Sequence, residues 1–115
     1  MDTRAKIVSP QEALRLARGG ATVVSGYFDP LTAGHAARLK AAKDQRRPLL
    51  VLIVSGKDPI LPASARVELV AGLAAVDYVS ETTAEIQPTL RLEAEHRADL
   101  ERLMRHVRQR RSAGA

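Results

Sequence analysis

Between Ser25 and Ala36 the chain reads Gly26-Tyr27-Phe28-Asp29-Pro30-Leu31-Thr32-Ala33-Gly34-His35. Two glycines and a helix start bracket this stretch, and an imidazole falls on the first helical turn. Backbone N–H groups at a helix N-terminus, with the positive end of the helix dipole, favour phosphate oxygens. Gly34 would let a phosphate approach closely, and His35 could donate a hydrogen bond to charge developing on it. The same residues have a plain structural reading, in which Gly26 and Pro30 make a turn, Thr32 caps the helix and His35 is a surface histidine. Lys57 in a loop and Arg66 on a helix each read by themselves as solvated charges.

These residues need elements to position them, and the chain alternates short apolar runs with helical patterns, as βαβ units do. Ser9-Pro10-Gln11-Glu12 fits an N-cap serine, a proline at the first helical position and a capping-box glutamate, opening a short helix that Gly19-Gly20 ends. Ala21 to Ser25 is β-branched and reads as the first strand, with a helix from about Ala33 to Lys43. Leu49 to Ser55 is apolar without alternation, as expected of a central parallel strand buried on both faces. Gly56-Lys57-Asp58-Pro59 is a loop, and Pro62 opens a helix whose Val67, Leu69, Val70, Leu73 and Ala74 are expected to face the sheet.

Val76 to Ser80 gives a third strand and Thr89 to Ala94 a weaker fourth. From about Glu95 to Arg110, Leu100, Leu103, Met104 and Val107 recur at helical spacing. With right-handed crossovers these pieces predict an α/β fold, a small three-layer, Rossmann-like, doubly wound parallel sheet of about four strands. Ligands in such sheets sit at the carboxyl ends of the strands, which sets the Gly26 and Gly56 loops side by side.

The chain has 115 residues, one domain's worth, so residues 1–115 read as a single unit with an N-terminal helix over 1–20 and a basic helix and tail over 95–115. Hydrophobic residues at 45% and charged residues at 27% exclude the disordered and collagen-like classes. The absence of cysteine removes disulfides, thiolate chemistry and cysteine-based zinc sites. No apolar run approaches a membrane span, and Met1-Asp2-Thr3-Arg4 does not open a secretory signal, so a cytoplasmic location is expected. The net charge of +5 is concentrated at the C-terminal end, where seven arginines from Arg91 onward face Glu93, Glu95, Asp99 and Glu101. With only Tyr27, Phe28 and Tyr78 as aromatics there is little to stack on bases, which argues against a nucleic-acid partner. The narrow apolar stripe of the last helix is expected to cover the sheet or pair with a second copy in a homodimer, leaving Arg102, Arg105, Arg108, Arg110 and Arg111 solvated.

The loop resembles the Gly-x-Phe-Asp-x-x-His-x-Gly-His signature of the cytidylyltransferase-like nucleotidyltransferases. Similarity extends to Lys6-Ile7-Val8-Ser9-x-x-Glu12-Ala13 and to Pro62-x-x-x-Arg66-x-x-Leu69-Val70-x-x-Leu73-x-x-Val76-Asp77-Tyr78-Val79, covering about residues 5 to 81. These segments are most similar to the adenylyltransferase domain of bacterial heptose-phosphate enzymes. The resemblance implies transfer of a nucleotidyl group from ATP or CTP, with Mg²⁺, to a small phosphorylated sugar or alcohol, releasing pyrophosphate. It implies that His35 stabilises the α-phosphate, with Thr32 as a helper, and that Gly26, Tyr27, Phe28, Asp29 and Gly34 line the nucleotide cleft. Arg66 and Lys57 would pair with phosphates.

The sequence departs from the pattern at Thr32, where the signature has its first histidine, and the family's Ser-Thr-Thr-type segment finds no counterpart after Glu81. The stretch Ile86 to Glu93 matches the family's fourth strand, or else Thr89 to Ala94 replaces its last one. If the site is a decayed one, restoring the signature with Thr32→His is expected to raise nucleotide affinity or pyrophosphate release. A module that keeps the fold and a nucleotide or phosphate site without turnover is the alternative to an active enzyme.

Overall fold

A computed structural model describes residues 3–113 of the chain, with side chains described for residues 3–110. The expectation for Arg111 lies outside the described side chains. A short 3-10 helix, Thr3–Lys6, leads into helix α1, Pro10–Arg18. The Ser9 hydroxyl caps α1 by accepting from the Glu12 amide at 3.1 Å. Gly20, at φ 103°, then turns the chain into strand β1, Thr22–Gly26, a backbone angle that favours glycine.

Helix α2, Ala33–Ala42, and strand β2, Leu49–Ile53, follow, then helix α3, Ala63–Ala71, and strand β3, Tyr78–Glu81. Strand β4 is only Leu90–Arg91, and helix α4 runs from Glu93 to Ala113. The strands pair in the order β3-β2-β1-β4, all parallel, with Thr22 opposite Leu49 and Val24 opposite both Val51 and Leu90. This is the doubly wound arrangement: the chain steps outward from β1 to β3, then returns to the other side of β1. The order reverses between β1 and β4, so α4 as well as the Gly26 and Gly56 loops meets the ligand crevice.

The central strand β2 is buried at every residue, because helices cover both faces. Val24, Val51, Ile53 and Val79 pack with Leu39 of α2 and with Val67, Val70 and Ala71 of α3. On the opposite face Val23, Leu50 and Leu52 pack with Ala13 of α1 and Ile86. The two sets alternate along each strand, as the two-residue period of a pleated strand requires.

Two packing expectations are corrected. The buried stripe of α3 is Arg66, Val67, Val70 and Ala71, not Leu69, which is about half exposed. Leu69 lies two residues, about 200°, around the helix from Val67. The helix also ends before Leu73 and Ala74, so these follow it in a turn, Leu73 part-buried against the core and Ala74 exposed. Of the two alternatives for the α4 stripe, a cover over the sheet does not form, with Leu100 part-buried and the rest exposed. Leu103, Met104 and Val107 are 41–45% exposed, because α4 leaves the body after its first turns, and residues 101–110 are all exposed. The described arginines at 102, 105, 108 and 110 are solvated, as expected. Among the described residues no helix is long and apolar enough to cross a membrane.

Candidate functional site

The loop leaving β1 is held in place from three directions. Asp29 accepts from the amides of Ile60 and Leu61 at 2.7 and 2.8 Å, one bond per carboxylate oxygen, tying it to the loop after β2. Arg66 reaches in from α3, only 1% exposed, and donates to the carbonyls of Tyr27, Val54 and Leu61 at 2.9–3.1 Å and to the Ser55 hydroxyl at 3.2 Å. Its burial overturns the solvated reading. Its nitrogens orient the two loops rather than face the cavity.

The third support comes from α4 and was not foreseen. His96 is 4% exposed, and its Nδ1 accepts from the amides of Tyr27 and Phe28 at 3.0 and 3.2 Å. The ring lies against Gly26, where a Cβ would come within 2.4 Å of His96 Cε1, so only glycine permits this approach. Phe28 adopts a left-handed φ of 49°, and its buried ring sits 4.4 Å from that of His96 and 5.9 Å from that of His35, centroid to centroid. Such backbone strain in a bulky residue persists only where its surroundings over-determine it. The sequence does carry a signal for His96: with Leu92, Leu100 and Leu103 it falls on one face at helical spacing.

At the start of α2 the Thr32 hydroxyl accepts from the His35 amide at 3.2 Å, and His35 Nδ1 accepts from the Thr32 amide at 3.3 Å, a reciprocal cap. Thr32 is therefore the N-cap expected of it, while His35 is 5% exposed rather than a surface histidine. A histidine at position 32 would remove this cap, a loss of about 1 kcal/mol, so Thr32→His is not a simple restoration.

These elements enclose a cavity of about 460 Å³. It brings together Tyr27, Asp29, Thr32 and His35 with Lys57 from the second loop and His96 and Arg97 from α4. Gly26, Phe28, Gly34 and Arg66 do not line it. Gly34 is exposed on α2, with room for a Cβ, which would meet only the Thr32 hydroxyl at 3.7 Å. The Tyr27 and Phe28 amides are engaged by His96, so they are not available to cradle an anion. The first-turn amides of Ala33 and Gly34 have no intrahelical acceptor, as at any helix start.

Arg97 donates to the Tyr27 hydroxyl at 2.8 Å, and Asp58 and Asp99 also border the cavity. Burial, followed by the neighbouring His35, pushes the His96 imidazole down to about 4, although Asp99, Glu95 and Glu93 pull the other way. That ring is neutral at physiological pH. Among the described residues no three His, Cys, Asp or Glu side chains converge as ligands for a metal. Magnesium binds mainly through phosphates and one or two carboxylates, and Asp58 and Asp99 are the carboxylates that would hold such an ion at this cavity.

A cytidylyltransferase-like family model matches residues 23–113. The matched stretch reaches past residue 81 and takes in β4 and α4. The bifunctional protein HldE of Psychromonas ingrahamii is 37% identical over 94 residues, 68% of this chain and 20% of the relative. The chain thus spans about a fifth of the length of this curated relative. With a four-stranded parallel sheet, helices on both faces and the signature loop at the end of β1, the chain belongs to the cytidylyltransferase-like family of nucleotidyltransferases.

Proposed function

We propose that this chain binds the triphosphate of ATP or CTP in the cavity at the ends of β1 and β2 and transfers the nucleotidyl group to a phosphorylated sugar or alcohol. The observation that carries this reading is the His35 side chain: its Nε2 is buried and without a hydrogen-bond partner in the cavity that Lys57 and Arg97 also line. In such a reaction an acceptor phosphate oxygen attacks the α-phosphorus, the bond to the β-bridging oxygen breaks, and pyrophosphate leaves. The protein's part is positioning and charge stabilisation. His35 Nε2–H donates to an α-phosphate oxygen as charge builds, Lys57 and Arg97 attract the outer phosphates, and the Thr32 hydroxyl keeps a proton to donate while it caps α2. Magnesium bound with the triphosphate supplies further charge neutralisation.

Calorimetry of the full chain with ATP and with CTP in magnesium tests binding, and a coupled pyrophosphate assay with sugar phosphates tests turnover. Binding of one nucleotide, with His35→Ala lowering the release of pyrophosphate about a hundredfold or more, is the expected result. Failure to bind either nucleotide would overturn the reading. A phosphate- or nucleotide-binding module without turnover is the second reading, favoured by Thr32, whose hydroxyl brings no imidazole to the site. Nucleotide binding without pyrophosphate release, whatever the sugar phosphate offered, would select it.

A further inference from the structure

Two polar groups in the cavity have no aligned hydrogen-bond partner in the fold. His35 Nε2 and His96 Nε2 are both buried and without a hydrogen-bond partner, while the other nitrogen of each ring is engaged. Nδ1 of His96 accepts from two backbone amides and Nδ1 of His35 from one. A neutral imidazole whose Nδ1 accepts carries its proton on Nε2. Both rings are therefore locked as Nε2–H donors, and both line the same cavity with their centroids 4.0 Å apart. A buried donor without an acceptor is destabilising, and a bound acceptor relieves that cost.

We propose that His96 is a second phosphate-binding histidine of this site, its Nε2–H acting beside that of His35 on two oxygens of one phosphoryl group. This rests on the nucleotide reading above and extends it to a residue on α4, outside the signature loop. Two neutral donors can stand this close, whereas two imidazolium ions would repel. The neutral state of His96 set by its burial is thus the one the pair requires. Asp99 is the acidic group that faces the pair, with Oδ2 3.4 Å from His35 Nε2 and not aligned as an acceptor; Glu93 and Glu95 act on His96 from its own helix. Lys57 and Arg97 are the cations that would face an anion there, beside the carboxylates of Asp29, Asp58 and Asp99 on the same lining.

The proposal separates the two nitrogens of His96, and so does its test. His96→Asn places an amide oxygen near Nδ1, able to accept from Tyr27 and Phe28, and lacks Nε2–H. It is expected to weaken binding of inorganic tripolyphosphate and of magnesium ATP or CTP about tenfold or more. In the unaltered chain, imidazole ¹⁵N spectra are expected to show both histidines as Nε2–H tautomers, with both Nε2 resonances moving when tripolyphosphate is added. A shift at His35 alone, a shift at neither ring, or undiminished affinity in His96→Asn would overturn the proposal. If tripolyphosphate moves both rings but neither nucleotide binds, the nucleotide reading falls and the histidine pair stands.

Discussion

The first two turns of α4, residues 93–100, and its distal turns, residues 101–110, carry the same kinds of residues, arginines and acids around sparse apolar positions, yet only the first two turns pack against the body. The distal part has the larger apolar side chains, Leu103, Met104 and Val107 against Ala94, Ala98 and Leu100, and it is exposed. Hydrophobicity therefore does not decide which part is buried. Position does: β4 delivers α4 at the reversal of strand order, and the missing Cβ of Gly26 admits the His96 ring there.

Breaking the anchored side of this contrast should have the largest effects. Arg66→Leu leaves the part-buried carbonyls of Tyr27, Val54 and Leu61 without this donor and is expected to cost about 3 kcal/mol in urea unfolding. An effect under about 1 kcal/mol would show that the two loops hold their positions without it. Acid should act next. His96 titrates near 6.5 when unfolded and about 4 when folded, so below 6.5 the unfolded chain takes up a proton that the folded chain refuses. Stability should fall as pH drops from 6.5 to 4, by about 3 kcal/mol at most, and His96→Asn should flatten this part of the melting profile.

Gly26→Ala tests the close approach itself. The added methyl would stand 2.4 Å from His96 Cε1 and 2.8 Å from Phe28 Cε2, an overpacking cost of about 1–3 kcal/mol. Combined with His96→Ala the penalty should be less than additive, which a double-mutant cycle measures. The smallest effect belongs to the distal side: Leu103→Ser with Val107→Ser should move stability by no more than about 0.5 kcal/mol per substitution. A larger loss that depends on protein concentration would instead identify the stripe as a contact between two copies of the chain.

The same contrast explains what the sequence made legible. The unbroken apolar run of β2, the Ser9 and Thr32 caps and the loop between β1 and α2 are local patterns, and each lies within a residue or two of its expected place. Arg66 and His96 were misread or missed because burial of a polar side chain depends on partners far along the chain. Arg66 satisfies carbonyls on two loops, and His96 two amides of the β1 loop. Neither partner set has a fixed spacing. The position of α4 was equally hidden, since a two-residue strand decides it and so short a run has no period.

That two-residue strand also bears on how the molecule opens. β4 is an edge strand joined to β1 from far along the chain, and the Thr89 and Leu92 amides, bonded to Val23 and Ser25 at 2.9 and 2.8 Å, are the bonds that flank it. So small a unit can detach with the start of α4 while the paired strands β1, β2 and β3 stay intact, and its amides should exchange with deuterium well before those of Leu50 to Ile53. Detachment would withdraw His96 from Tyr27 and Phe28 and dismantle one wall of the cavity. An anion seated there would therefore slow exchange at Leu92 and His96, so that the protection of a strand edge reports occupancy of a site several residues away.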